Sequence, residues 1–144
     1  DREMIIWDGY CPTHSRIRDV DIKRELEDHP NAKVMAHPEC PPEILELADH
    51  ICSTSGMYEF AVKSDAQKFI VGTEQGILYR LKKDSPEKTF ILPSRGLICP
   101  NMKLTSLEDV LQCLETMSPQ ITVAEDIREK AKLTLDRMLA VPRD

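Results

Sequence analysis

A chain of 144 residues is long enough for one domain with a buried core, and 41% hydrophobic with 31% charged residues is ordinary globular composition. The net charge of −6 argues against nucleic acid as the main partner, because phosphate binding needs a clustered basic face. No apolar run approaches the roughly 20 residues of a membrane span and no signal-peptide pattern opens the chain, so the sequence points to a cytoplasmic protein with no membrane partner.

In chain order, the first apolar run lies at residues 4–7 and reads as a strand. It follows almost directly on Asp1, which stands where an initiator methionine is absent, so a truncated or proteolysed piece is the simpler reading. Further short, apolar, Val/Ile/Phe-rich runs at 33–36, 50–53, 68–72 and 89–92 read as strands covered on both faces, since they lack strict alternation. Between them, 21–28, 41–49, 56–66 and 75–83 carry helical spacing; Ile22 and Leu26 are one pair on a shared face, and prolines occupy the first turn of the second segment. Strand and helix alternating at this spacing predict an α/β fold, a three-layer α/β/α domain on a parallel sheet. After Cys99 the pattern becomes purely helical. Thr105-x-x-Glu108 matches a capping box opening one helix, Pro119 ends it, and Thr122-x-x-Glu125 opens another with Ile127, Ala131, Leu135 and Met138 on one stripe.

Ligands in an open parallel sheet bind beyond the carboxyl ends of its strands. The polar residues fall there repeatedly: Cys11 and His14 after the first strand, His37 and Glu39 after the second, Ser53, Thr54 and Ser55 after the third. Thr73 and Glu74 follow the fourth strand, and Ser94, Arg95 and Cys99 the fifth. The five cysteines are odd in number, irregularly spaced and without a C-x-x-C pair, which argues against a disulfide framework and against zinc. Cys11 and Cys99, each followed by proline, suit either packing or cluster ligation; Cys40, Cys52 and Cys113 suit packing.

His37 and Glu39 flank Pro38 and, two apart in extended chain, point the same way. They fit general acid–base work or a substrate carboxylate; taken without their neighbours, they fit equally a loop histidine and a carboxylate at a helix start. Ser53-Thr54-Ser55-Gly56 opens a helix after a strand, which serves anion binding or simple capping. Residues alone therefore reach an α/β domain with a thiol-rich, anion-suited edge.

Five ordered segments go further: Gly9-Tyr10-Cys11-Pro12-Thr13-His14, His37-Pro38-Glu39-Cys40-Pro41-Pro42-Glu43, the segment from Ala48-Asp49 to Ser53-Thr54-Ser55, Gly72-Thr73-Glu74-Gln75-Gly76 and Cys99-Pro100-Asn101-Met102-Lys103. From about residue 4 to residue 141 the chain resembles quinolinate synthase, the quinolinate synthetase A family. The resemblance implies an enzyme of NAD biosynthesis that condenses iminoaspartate with dihydroxyacetone phosphate to quinolinate. It implies a [4Fe–4S] cluster as Lewis acid, with Cys11 and Cys99 as two ligands and the third cysteine in a missing N-terminal portion. It also implies His14 beside the cluster, His37 and Glu39 on substrate with Glu39 in proton transfer, and Ser53 and Thr54 on a carboxylate or phosphate. Glu74 and Lys103 match motifs without an assigned role.

The family is built from three similar α/β/α domains in a pseudo-threefold arrangement. On that pattern residues 1–13 end a preceding domain, 14–98 form an α/β/α domain and 99–144 are a cluster-ligand loop with C-terminal helices. The expected partners are the two substrates, the missing N-terminal portion of the same enzyme, and L-aspartate oxidase as supplier of iminoaspartate. The 144-residue piece alone is expected to be inactive. Two competing readings remain: a non-catalytic α/β module that takes a phosphorylated metabolite at the Ser53–Gly56 turn and Arg95, and a different cluster-dependent dehydratase.

Overall fold

A computed structural model describes residue 3 and residues 5–141. Its helices are α1 (Asp19–Asp28), α2 (Pro42–Leu45), α3 (Thr54–Lys63), α4 (Ile77–Asp84), α5 (Leu107–Thr116) and α6 (Glu125–Leu139), and its strands are β1 (Lys33–Ala36), β2 (His50–Ile51), β3 (Lys68–Gly72) and β4 (Thr89–Ile91). The four strands pair in parallel in the order β2-β1-β3-β4, with Met35 opposite His50 and Val71, and Phe69 opposite Phe90. The fold is thus α/β on an all-parallel sheet.

Strand side chains alternate between the two faces of the sheet. Val34, Ala36 and Ile70 enter one apolar cluster with Ile22 of α1 and Ile44 of α2, joined by Ile17 and Leu97. Met35, Phe69 and Val71 enter the other with Met57 and Ala61 of α3, Ile77 and Leu81 of α4, and Phe90. Both faces are covered, which is why the strand sequences read as continuous apolar runs.

Strand order reverses between β1 and β3, because the chain leaves β1 toward β2 and returns to the far side of β1. Such a reversal opens a crevice at the carboxyl edge. Gly72, closing β3, keeps that edge tight: an added Cβ would stand 3.3 Å from Met35 O and 3.3 Å from Ala36 Cα. Its carbonyl accepts the His37 amide at 3.1 Å, extending the ladder one residue beyond β1, and the Cys40 thiol at 3.2 Å. Behind the sheet, Lys88 Nζ donates to Ala61 O and Ser64 O, both at 2.6 Å, where the carbonyls of the last turn of α3 need donors.

Several expected elements differ. Residues 5–7 form no strand; Ile5, Ile6 and Trp7 are 98%, 80% and 88% exposed, and an isolated apolar run has no ladder to join. Met4 lies outside the described residues. The third expected strand contracts to His50–Ile51, because Ser53 turns to cap α3 and accepts the Gly56 amide at 3.4 Å. The helix expected at 41–49 closes to one turn, α2, before Asp49 accepts the Val34 amide at 2.8 Å and Lys33 Nζ at 2.7 Å. The capping box of α5 is Ser106 with Asp109, one residue beyond the expected pair: Asp109 accepts the Ser106 amide at 2.8 Å and donates its own amide to Ser106 Oγ at 3.1 Å. Thr122 does not cap α6, whose N-cap is Ala124; Glu125 turns forward to Arg128 Nε at 2.8 Å instead of back.

The chain divides into two compact units, Asp1–Asn101 and Met102–Asp144. The second contains α5 and α6. No helix among the described residues is long and apolar enough to cross a membrane.

Candidate functional site

The site grows from the loops that flank the β1–β3 reversal. Residues 11–17 approach first: the Ser15 amide donates to Cys11 O at 3.0 Å, and a short 3-10 turn at His14–Arg16 follows. Thr13, His14 and Ile17 are buried there, so this apolar anchor holds His14 against the sheet edge. From the end of β1, the stiff His37-Pro38-Glu39 loop returns its chain through the Cys40 amide, which donates to His37 O at 2.9 Å. From the end of β3 come Thr73 and Glu74, both buried.

These loops bring four of the expected residues together, Cys11, His14, His37 and Glu39. The His14 and His37 rings stack with centroids 4.6 Å apart and planes 13° apart. Glu39 Oε2 lies 3.0 Å from His14 Nδ1 and 3.6 Å from His37 Nδ1. Ligand atoms of Cys11, His14 and Glu39 all lie within 4.8 Å of one another, a thiol, an imidazole and a carboxylate suited to a metal site. An open cleft of about 550 Å³, lined by Trp7, Gly9, Tyr10, Cys11, Pro38 and Glu39, gives access to it.

On its other side, His14 Nε2 lies 2.9 Å from the buried Thr73 hydroxyl. The Nδ1 contact with Glu39 is short but falls outside hydrogen-bonding direction, so this buried nitrogen has no hydrogen-bond partner among the described residues. Burial pulls the His14 imidazole below its ordinary range and the adjacent His37 pulls the same way, while Glu39 opposes both. His37 Nδ1 accepts the Glu39 amide at 3.3 Å, which leaves its proton on Nε2.

Glu74 has a place that its motif alone did not reveal. Its Oε2 accepts the Gly76 amide at 2.7 Å and its Oε1 the Cys99 amide at 3.4 Å, while the Gln75 amide donates to Leu97 O at 2.8 Å. The loop carrying Cys99 is thereby tied to the end of β3. The compact Cys11–His14–Glu39 group does not extend to Cys99. Ser53 and Thr54 are exposed at the head of α3, on the same carboxyl edge. Lys103 belongs to the second unit.

The cysteines separate by environment. Cys11 and Cys99 are half-buried thiols on the edge loops. Cys40 is 5% exposed and its thiol is pushed up to about 11, chiefly by burial. That rise alone lowers its thiolate population about 100-fold near neutral pH. Iodoacetamide at pH 8 is therefore expected to modify exposed Cys113 well before Cys40 in the folded protein and both equally after denaturation; peptide mass spectrometry reads the order.

The fold and these loops define a class: an open α/β protein with a thiol, two stacked imidazoles and a carboxylate gathered where its strand order reverses. A family model described as Quinolinate synthetase A protein matches residues 1–140. The chain belongs to that family. It is 57% identical over 144 residues to a protein named quinolinate synthase from Geobacter sp. (strain M21), covering 100% of this chain and 47% of that relative. It is 50% identical over 141 residues to quinolinate synthase of Thermodesulfovibrio yellowstonii and 50% identical over 141 residues to quinolinate synthase 1 of Methanosarcina acetivorans, covering 98% of this chain and 46% of each relative. The chain spans about half the length of these curated relatives.

Proposed function

We propose that this chain is the portion of a quinolinate synthase that supplies two cluster thiolates and the acid–base side of the active site, in an enzyme that condenses iminoaspartate with dihydroxyacetone phosphate to quinolinate. The observation that carries this reading is the meeting of Cys11, His14 and Glu39 within 4.8 Å. A [4Fe–4S] cluster fits the donor chemistry, since Cys11 and Cys99 are accessible thiols on edge loops, whereas Cys40 resists ionisation. Cys11 and Cys99 would hold it, with the third cysteine in the N-terminal portion of the same enzyme. When bound, the cluster supplies a Lewis-acidic iron that polarises a substrate oxygen.

The chain's own groups account for the rest. Glu39, with its side chain 55% exposed, faces the cleft and takes or returns a proton at the substrate. His37, whose Nδ1 is occupied by the Glu39 amide, keeps its Nε2–H to donate to a substrate carboxylate. His14 holds Glu39 in place from the buried side. Ser53 and Thr54, at the head of α3, receive a carboxylate or phosphate with the help of backbone N–H groups. In domain terms, residues 1–13 end a preceding α/β domain, 14–98 form one α/β/α domain of a pseudo-threefold enzyme, and 99–144 carry the ligand loop and C-terminal helices. The enzyme works in the cytoplasm, with L-aspartate oxidase as the supplier of iminoaspartate. The chain by itself holds no stable cluster and is inactive.

The test is quinolinate formation by the anaerobically reconstituted full-length protein given both substrates. Quinolinate production that requires dihydroxyacetone phosphate supports the reading. A protein that carries its cluster and makes none overturns it, and a different dehydration substrate is then sought. A protein that takes no cluster, yet binds phosphorylated metabolites at Ser53 and Arg95, would be the non-catalytic module instead.

A further inference from the structure

The Thr73 hydroxyl holds the far nitrogen of His14. Thr73 is 2% exposed and directly follows β3, so its position is set by the sheet and not by a mobile loop. Its Oγ lies 2.9 Å from His14 Nε2 across 59 residues of sequence, in a buried contact. The opposite nitrogen stands 3.0 Å from a carboxylate oxygen of Glu39. An imidazole lone pair aimed at a carboxylate at that separation is repelled, whereas an N–H there is attracted even when bent. The low-energy neutral tautomer therefore has its proton on Nδ1, and Nε2 must accept. A threonine hydroxyl meets that need, because it can rotate to donate.

We propose that Thr73 is the positioning residue of the acid–base group: it donates its hydroxyl proton to His14 Nε2, and so fixes the Nδ1–H tautomer and the ring plane that face Glu39. The arrangement is Thr73 O–H to Nε2, with Nδ1 on the other side in a close polar contact with Glu39 Oε2 at 3.0 Å and His37 stacked against the same ring at 4.6 Å. His37 cannot replace His14 here, since its Nδ1 already accepts the Glu39 amide. His14 Nδ1 stands 3.0 Å from Glu39 Oε2, closer than His37 Nδ1 at 3.6 Å, and Thr73 decides which His14 nitrogen carries the proton. This assignment rests on the acid–base role given above to Glu39.

The experiment records ¹⁵N spectra of the imidazoles in the ¹⁵N-histidine-labelled full-length protein, assigned with His14→Gln, beside steady-state kinetics of Thr73→Val and Thr73→Ser. Valine keeps the volume and removes the hydroxyl; serine restores it. The parent is expected to show His14 as the Nδ1–H tautomer, with Nε2 as the acceptor. Thr73→Val is expected to lose that single tautomer and to lower kcat for quinolinate about 10- to 100-fold with KM little changed, and Thr73→Ser to recover both. An Nε2–H tautomer in the parent overturns the proposal without any variant. So does an unchanged His14 spectrum in Thr73→Val. A changed His14 spectrum with full turnover keeps the positioning role and overturns instead the participation of His14 and Glu39 in the proposed reaction.

Discussion

Glu39→Gln is expected to lower quinolinate turnover by the full-length protein about 10²- to 10⁴-fold, with an unaltered melting temperature, because the change removes the proposed proton-transfer group and no buried packing. The side chain is more than half exposed, so the fold has little stake in it. What glutamine loses is the ability to take a proton and the attraction between its Oε2 and His14 Nδ1, now 3.0 Å apart. A glutamine can turn its amide oxygen toward the imidazole, but as an uncharged acceptor it attracts the ring more weakly than the carboxylate does. In the proposed role Glu39 acts on bonds in the reaction more than on binding, so the loss should fall on kcat, with KM changed less. Turnover within about threefold of the parent would remove Glu39 from the acid–base role.

The largest expected stability effect lies on the opposite side of the sheet. Phe69→Ala should destabilise the protein by about 3–5 kcal/mol, a large share of the roughly 5–15 kcal/mol that holds a domain together. Phe69 is fully buried in the middle of β3. Its ring stacks on Phe90 at 5.5 Å, meets the edge of Phe60 at 5.8 Å and lies 5.7 Å below Lys88 Nζ. Truncation leaves a cavity bordered by α3, β3 and β4, and weakens the seat of the lysine that caps α3. The urea midpoint should fall accordingly; a loss below about 1 kcal/mol would mean that this cluster is not the core its burial indicates.

Much of the architecture was legible because period and burial are local signals. The runs at 33–36 and 68–72 are strands at those bounds, since both faces are covered and every residue of the run was apolar or at its rim. The run at 4–7 misled for the same reason: apolar content marks a segment that wants a partner, and Ile5–Trp7 find none in the sheet. Cap positions were legible only to within a residue. Thr105 and Ser106 each carry an acid three places on, and only side-chain geometry selects the Ser106–Asp109 pair.

For the site, sequence paired His37 with Glu39 across Pro38 and marked His14 apart from them, while the meeting of His14 with that pair depends on long-range packing, which no local pattern encodes. The order β2-β1-β3-β4 sets the loop after β1 beside the loop after β3, and there Thr73 meets His14 of the 11–17 segment while Glu74 meets the Cys99 amide from beyond β4. The Gly72-Thr73-Glu74 motif was the available signal for both contacts, and it carried no role until the long-range pairing was seen. Gly72 itself turned out to anchor two members of the His37–Cys40 segment through one carbonyl.

In the proposed function Cys11 and Cys99 hold an iron–sulfur cluster beside the acid–base group, and that ligation underlies the rest of the proposed chemistry. It is tested most directly by iron and acid-labile sulfide content with the EPR spectrum, measured on the anaerobically reconstituted full-length protein beside Cys99→Ser and Cys113→Ser. About four irons per chain in the parent and in Cys113→Ser, lost in Cys99→Ser, is the result expected. A full complement of iron in Cys99→Ser, or none in the parent, would contradict it.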